Sequence, residues 1–100
     1  MKKIVLLCNQ GLSTSVLVKN MREVVERNNL DYLVNAYSVD SAPTTAVDAD
    51  VILLGPQIRY KQKEIQDLFP EKPVGIIDMA VYGMFDGKKV VIQARELMGV

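Results

Sequence analysis

The chain has 100 residues, 49% of them hydrophobic, and its twelve Lys and Arg balance its twelve Asp and Glu. This length and composition are typical of one globular domain, so we expect a single domain over residues 1–100. The balanced charge argues against a general affinity for nucleic acid or anionic membranes. Each apolar run is far shorter than the ~18 residues that a membrane span needs.

The numbers of cysteine and histidine residues exclude several kinds of metal site and catalytic site. Cys8 is the single cysteine, and the sequence contains no histidine. One cysteine cannot form an internal disulfide or a thiolate cluster. The lack of histidine excludes Cys–His and Ser–His dyads, zinc sites of the histidine type and a phosphohistidine formed by this chain alone. Because the first residues also lack the pattern of a signal peptide, we expect a cytoplasmic protein. We expect no metal or cofactor.

Apolar runs alternate with helical spacings along the chain. Residues 3–7 form a β-branched apolar run that predicts a strand buried on both faces. From Thr14 onward, apolar side chains recur at helical spacing and predict an amphipathic helix that ends near Asn28. The later predicted elements are a strand nearer the sheet edge at 32–37, a loop with one short helical turn at 40–48, a buried strand at 50–54, a helix at 60–69, a strand at 73–77, a loop or short helix at 78–87 and a helix at 90–98.

This alternation predicts parallel strands joined by right-handed crossovers. The expected fold is a three-layer α/β sandwich with a four-stranded parallel sheet in the order 2-1-3-4. Ligands of such folds bind outside the carboxyl ends of the strands, at the point where successive connections turn to opposite faces. That point lies between strands 1 and 3, where Cys8 ends the first strand and residues 55–57 follow the third.

The segment after Cys8 has the composition of an anion-binding loop. Gly11 permits the positive φ that a tight loop can require, and Ser13 or Thr14 is a good N-cap for the helix that follows. Backbone N–H groups and the helix dipole would bind a phosphate-sized dianion and favour the thiolate form of Cys8. A lone cysteine is by type more often a small buried hydrophobe, but this position favours a nucleophile that attacks phosphorus.

An arginine is missing from the loop, and its absence bears on the reaction. Low-molecular-weight tyrosine phosphatases and arsenate reductases have a similar strand, loop and helix, with Cys, five residues and then an Arg that clamps the phosphoryl group. Here the sixth residue after Cys8 is Thr14, and Arg22 is the first arginine of the chain. Phosphoryl transfer is therefore favoured over hydrolysis. The alternatives are a small hydrolase of that phosphatase or reductase type and a non-catalytic flavodoxin-like binding module.

Three stretches, LCNQGLSTS, DVILLGPQIRY and IIDMAVYGMFDG, resemble the enzyme IIB component of the sugar phosphotransferase system, in its lactose/cellobiose/chitobiose branch (type-3 IIB), over nearly the whole chain. The resemblance implies a fold like that of low-molecular-weight tyrosine phosphatases. It also implies that Cys8 accepts a phosphoryl group from a phosphohistidine of the IIA component. Cys8 would pass this group to a sugar, of cellobiose or chitobiose type, bound by the membrane transporter IIC, with which the protein would associate transiently. Leu12 stands where relatives often carry Met. The implied phosphate-binding loop consists of Asn9, Gln10, Gly11, Leu12, Ser13, Thr14 and Ser15.

Several residues outside the loop are supporting candidates. Gln57 could contact the loop or stabilise its own turn, and Tyr82 could pack beneath the loop or lend its hydroxyl. Arg59 could attract a phosphorylated partner, although a solvated side chain is the simpler interpretation. We expect Asp78 to cap the segment that follows rather than act as a general acid. Four methionines are assigned to the core or to a partner surface: Met21, Met79, Met84 and Met98.

Overall fold

The computed structural model describes residues 1–9 and 14–100. Its strands are Lys2–Cys8 (β1), Tyr32–Ser38 (β2), Val51–Leu54 (β3) and Val74–Ile76 (β4). Its α-helices are Thr14–Arg27 (α1), Ala42–Thr45 (α2), Gln62–Leu68 (α3), Met79–Gly83 (α4) and Gly87–Met98 (α5), and 3₁₀ segments span Val39–Ser41 and Pro56–Lys61. Within these residues, no helix combines the length and the apolar character that crossing a membrane requires.

The strands form one parallel sheet in the order β2-β1-β3-β4, which confirms the predicted order. β3 is buried along its whole length, as its apolar run predicts for a central strand. β2 lies at an edge, as its partial alternation indicates. The register places Cys8 opposite Ser38 and Leu7 opposite Leu54, so the carboxyl ends of β1, β2 and β3 meet at one edge of the sheet.

Two cores flank the sheet, because alternate side chains of a strand point to opposite faces. Leu6 packs with α1 and α5 on one face, whereas Leu7 packs with the 3₁₀ segments, α2 and α3 on the other. The first core is centred on Leu17, Met21 and Val90, which have no exposed surface. The helices therefore cover both faces of the sheet and complete the three expected layers.

The helices α1 and α5 approach each other closely at Gly87. A Cβ atom at this position would lie 2.6 Å from the backbone carbon of Asn20 and 2.6 Å from the backbone nitrogen of Met21. α5 begins at Gly87, three residues before the predicted start, because the Asp86 side chain caps it by accepting a hydrogen bond from the N–H of Lys89 at 3.2 Å. This cap and the missing Cβ fix the start of α5 against the middle of α1.

Other boundaries differ from prediction for local reasons. The predicted helix at 60–69 is preceded by the 3₁₀ segment Pro56–Lys61, which contains a kink at Ile58 (φ −118°, ψ 26°) before α3 begins. Pro56 favours this early start because its fixed φ suits the first turn of a helix. α1 ends at Arg27, before Asn28, and Asn29 adopts a left-handed φ of 53°.

Side-chain donors satisfy outward carbonyl groups on both edge strands. These bonds are Arg22 Nε and Nη2 to Val34 O (3.0 and 2.7 Å), Gln62 Nε2 to Val74 O (3.3 Å) and Gln93 Nε2 to Ile76 O (2.8 Å). Unpaired carbonyl groups on an edge strand are a template for pairing with another chain. The three side chains therefore protect the sheet against edge-to-edge association.

Candidate functional site

The structure places Cys8 at the edge of the sheet where the sequence predicts a ligand site. Cys8 is the last residue of β1 and pairs with Ser38, the last residue of β2. On the other side, the N–H of Gly55 donates a hydrogen bond of 2.9 Å to the carbonyl oxygen of Leu7. The sulfur thus lies at the end of a central strand, between the carboxyl ends of β2 and β3.

The Cys8 side chain is buried but has polar neighbours. Its exposed fraction is 2%, and its Sγ lies 3.5 Å from the hydroxyl oxygen of Thr14 and donates to the carbonyl oxygen of Tyr37 at 3.8 Å. Thr14 is the first residue of α1 and is itself 1% exposed. The thiol is therefore as buried as a small hydrophobe would be, yet it contacts a hydroxyl and a carbonyl oxygen.

Three residues of the predicted phosphate-binding loop can be placed. Asn9 follows β1 and is exposed, while Thr14 and Ser15 begin α1, with Thr14 buried and Ser15 exposed. α1 has 14 residues, and its first turn meets the sulfur through Thr14. The partial positive charge of a helix N-terminus therefore lies beside Cys8. The other predicted loop residues lie outside the described part of the chain: Gln10, Gly11, Leu12 and Ser13.

Gln57 and Tyr82 converge on Gly55, beside the end of β1. A Cβ atom at Gly55 would lie 3.1 Å from Oε1 of Gln57, 3.6 Å from Cε2 of Tyr82 and 3.7 Å from the carbonyl oxygen of Leu7. Gln57 is exposed and folds back over this turn, whereas Tyr82 is 6% exposed and belongs to the core that α1 covers. The structure thus brings both supporting candidates to the β1–β3 edge that carries Cys8.

Asp78 has the capping role that the sequence predicts. Its Oδ2 accepts hydrogen bonds from the N–H groups of Ala80 at 3.0 Å and Val81 at 3.3 Å, at the start of α4. Arg59 is exposed in the 3₁₀ segment after β3. The four candidate methionines divide between core and surface: Met21 is fully buried, Met98 is half-buried, and Met79 and Met84 are 64% and 77% exposed.

The side chain of the first arginine after Cys8 makes its hydrogen bonds to β2. The guanidinium of Arg22 donates to the carbonyl oxygen of Val34 and, at 3.0 Å, to Oδ1 of Asn35, on the edge strand β2. Among the described side chains, no three His, Cys, Asp or Glu groups are close enough together to hold a metal ion. The chemistry described at this site is therefore that of a thiol, a hydroxyl, a carbonyl oxygen and a helix N-terminus.

Sequence reasoning missed the carbonyl oxygen of Tyr37 as a partner of the sulfur. A backbone oxygen leaves no signal in residue type, so its presence follows only from the pairing of β1 with β2. A side-chain list, however complete, would not contain it.

Solved structures of known proteins share this fold. The solution structure of the cellobiose-specific phosphotransferase IIB component from Borrelia burgdorferi matches 98% of this chain and 92% of its own chain, with a TM-score of 0.82 and 29% identity. The lactose-specific IIB component domain from Streptococcus pneumoniae matches 93% of this chain and 96% of its own, with a TM-score of 0.81. At 15% identity, this second match shows the fold alone. The fold is thus that of the IIB components of sugar phosphotransferase systems.

Sequence comparisons identify the branch. The family model of the lactose/cellobiose-specific IIB subunit of the phosphotransferase system matches residues 3–93. The oligo-beta-mannoside-specific EIIB component of Bacillus subtilis (strain 168) is 40% identical over 100 residues, which cover 98% of this chain and 97% of that protein. Two Lactococcus lactis proteins are each 38% identical over 104 residues, covering 97% of this chain and 96% of their own: the galactose-specific EIIB component of subspecies cremoris (strain MG1363) and the cellobiose-specific EIIB component of subspecies lactis (strain IL1403).

The chain therefore belongs to the lactose/cellobiose-specific IIB family of the sugar phosphotransferase system. Members of this class are phosphotransferases of sugar transport that work with IIA and IIC partners. The three relatives are named for three different sugars at nearly equal identity. Similarity at the level of this component consequently does not select a sugar.

Proposed function

We propose that Cys8 relays a phosphoryl group from the IIA component to a sugar bound by the IIC transporter. In the first step, Sγ attacks phosphorus, an S–P bond forms and the P–N bond to the partner's histidine breaks. In the second step, a sugar hydroxyl attacks phosphorus, the S–P bond breaks and the thiolate of Cys8 is restored. The observation that supports this role most directly is the position of Sγ, at the carboxyl end of β1 and 3.5 Å from the Thr14 hydroxyl at the start of α1.

The start of α1 supplies the electrostatic part of the proposal. A phosphoryl group on Sγ would carry its negative charge beside the N-terminus of a 14-residue helix, where the helix dipole favours anions. The residues Asn9 to Ser15 form the proposed phosphate-binding loop, and Gln57 and Tyr82 support its rim. Since phosphoryl transfer depends on alignment and charge stabilisation, a loop that binds the phosphoryl group would carry most of the catalysis.

The donor must come from another protein. This chain has no histidine, so it can neither carry a phosphohistidine nor supply a histidine as a general base. This agrees with a relay in which IIA brings the phosphoryl group already attached to its own histidine. The proposed place of action is the cytoplasm, in transient contact with the membrane transporter.

The described neighbours of the sulfur support transfer rather than hydrolysis. A phosphatase of similar fold would need an arginine clamp on the phosphoryl oxygens. In this protein, the arginine nearest to Cys8 in sequence binds the edge of β2, and the sulfur contacts Thr14 and Tyr37 instead. The thiophosphate can therefore persist until an acceptor arrives.

The proposed acceptor is a disaccharide of cellobiose or chitobiose type. This choice rests on the resemblance of the three sequence stretches to the cellobiose/chitobiose side of the family, and the cellobiose-specific relative and solved neighbour agree with it without selecting it. Sugar phosphorylation by membrane vesicles that contain the cognate transporter, measured on cellobiose, chitobiose, lactose and galactose, tests it. Preference for galactose would contradict the proposed sugar and leave the relay intact.

Intact-mass analysis of the protein mixed with phosphorylated IIA tests the relay. We expect one phosphoryl adduct on the wild type, labile to iodine as a thiophosphate should be, and none on Cys8→Ser or Cys8→Ala. Because the chain has one cysteine, the adduct has a single assignment. An adduct of equal yield on Cys8→Ala would contradict the proposal, and steady hydrolysis of an aryl phosphate without partners would favour the hydrolase. Circular dichroism of both variants controls for folding.

A further inference from the structure

A second concave surface lies on the face of the sheet opposite α1. It is a groove of about 460 Å³ between the segment after β2 and α3, and we call it the α2–α3 groove. Its lining residues are Val39, Asp40, Pro43, Glu64, Ile65, Asp67 and Leu68. Its volume falls within the range of about 300–1,000 Å³ that is usual for binding sites.

The floor of the groove is apolar. Val39 and Ile65 are 6% and 2% exposed and belong to the second core, so the floor is continuous with the packed interior. Leu68 is 45% exposed and Pro43 is exposed, at the same groove. Leu68 therefore leaves apolar surface in water that an occupant would cover.

Three carboxylates line the rim of the groove, and two of them have lysine partners. Asp40, Glu64 and Asp67 line it, and no basic side chain is among the described residues that do so. Lys61 and Lys63 pair with Glu64 and Asp67 at 3.5 and 3.0 Å. All four partners of these pairs keep solvent contact, and exposed pairs of this kind are weak.

Asp40 strengthens the acidic character of the rim. No ion pair to its carboxylate occurs within residues 1–9 and 14–100. The groove therefore complements an occupant that carries apolar side chains next to positive charges.

Membrane proteins as a class present positive charges next to apolar segments on their cytoplasmic side. Cytoplasmic loops of membrane proteins carry an excess of Lys and Arg near the ends of their spans. We infer that the α2–α3 groove docks a basic, apolar segment from a cytoplasmic loop of the sugar transporter. This inference rests on the proposed relay for the order of the two steps, because the transporter is the partner of the second step.

The position of the groove suits that step. Asp40 lies two residues after Ser38, which pairs with Cys8 at the end of the sheet. A segment seated in the groove therefore binds close to the edge that carries the sulfur. It does so on the face opposite α1, and it leaves the helix start beside Cys8 uncovered.

Membrane vesicles that contain the cognate transporter test the inference. The double variant Asp40→Asn/Leu68→Ser removes one rim charge and one apolar contact, while Glu23→Gln/Glu26→Gln removes two exposed charges from α1 as the matched control. We expect the groove variant to raise the KM for the phosphorylated protein in sugar phosphorylation by about 3-fold to 10-fold. The control variant should leave it unchanged. Phosphorylation of both variants by phosphorylated IIA should equal that of the wild type.

Peptide binding tests the occupant directly. Short synthetic peptides that cover the transporter's cytoplasmic loops, each paired with a version whose Lys and Arg are changed to Gln, are titrated into the full chain. We expect one basic peptide to shift the amide NMR signals of Asp40, Ile65 and Leu68, and its neutral version to bind at least several-fold more weakly. Added salt should weaken the basic peptide in the same way.

The remaining outcomes separate this inference from the relay. Unchanged sugar phosphorylation by the groove variant, or equal loss of both transfer steps, would overturn the groove and leave Cys8 as the relay residue. If the wild type forms a concentration-dependent dimer and Leu68→Ser is monomeric, the occupant of the groove is a second copy of the chain. If Cys8 is never phosphorylated, the relay fails, and peptide binding still decides the groove.

Discussion

Substitution of Gly87 by Ala should force α1 and α5 apart. The added Cβ would lie 2.6 Å from two backbone atoms of Asn20 and Met21 and 2.9 Å from the Cβ of Asn20, whereas ordinary contacts begin at 3.4 Å. Backbone atoms in the middle of a helix cannot rotate away as the end of a side chain can. The helices must therefore separate by several tenths of an ångström, in the core that contains the fully buried Leu17, Met21 and Val90.

The expected cost follows from two opposing effects. Overpacking of a well-filled core costs about 1–3 kcal/mol. Replacing Gly by Ala at a compatible φ returns about 0.4–1 kcal/mol by restricting the unfolded chain. The two ranges combine to a net loss in the free energy of unfolding of about 0–2.6 kcal/mol for Gly87→Ala. The central value of about 1.3 kcal/mol lowers Tm by about 5–10 °C for a domain of this size.

Urea unfolding of Gly87→Ala and Gly83→Ala provides a matched test. Gly83 ends α4, its φ is not positive, and a Cβ there would meet nothing within 4 Å. Gly83→Ala should therefore stabilise the protein by about 0.4–1 kcal/mol, with an unchanged m-value. Equal effects of the two substitutions, or a stabilising effect of Gly87→Ala, would refute the close approach of α5 to Asn20.

Three further predictions concern the site and the sheet. Thr14→Val, which removes the hydroxyl beside Cys8, should slow phosphorylation by phosphorylated IIA about 10-fold while Thr14→Ser keeps most of the rate; equal rates for the two would show that the hydroxyl has no part in transfer. Asp78→Ala should lower the free energy of unfolding by about 1 kcal/mol because α4 loses its cap, and Asp78→Asn should lower it less. A large fall in the transfer rate of the folded Asp78→Asn protein would instead indicate acid catalysis. Gln93→Ala should lower the free energy of unfolding, measured with urea, by about 1 kcal/mol because the carbonyl oxygen of Ile76 loses its 2.8 Å partner. An unchanged free energy would show that water replaces the amide fully.

The sheet was predictable because its signals are local. Apolar runs mark strands that are buried on both faces, and the helical spacing after Thr14 places a crossover helix between the first two. The order 2-1-3-4 then follows from right-handed crossovers and from the weaker apolar run at 32–37, which marks an edge. Each of these steps uses neighbouring residues or a general rule of chain handedness.

Element ends were less predictable because capping depends on the fold around them. Asp86 starts α5 three residues earlier than apolar spacing predicts, and Pro56 starts a 3₁₀ segment at once after β3. Both residues are also common in turns, so their type alone permits a loop. The choice is made by packing, as Gly87 shows by resting on the backbone of α1.

The parts of the candidate site differ in the same way. The position of Cys8 beside the start of α1 could be predicted from sequence because both lie within one strand–loop–helix unit. The carbonyl oxygen of Tyr37 and the α2–α3 groove could not, because each is made by segments far apart in the chain. The groove in particular joins residues 39–43 to residues 64–68, and neither segment has a motif.

The burial of the sulfur bears on why a relay would use it. A thiophosphate is useful to a relay only if it is not hydrolysed between its encounters with the two partners. Slow hydrolysis requires that no side chain clamps the phosphoryl group for attack and that water has little access to it. In this protein, the described neighbours of Sγ are Thr14 and the carbonyl oxygen of Tyr37, the sulfur is 2% exposed, and the guanidinium of Arg22 is bound to β2. A carbonyl oxygen repels a phosphoryl oxygen, whereas a helix N-terminus attracts it. The phosphoryl group on Cys8 should therefore point toward the start of α1 and away from β2. This orientation would leave the α2–α3 groove free for the second partner.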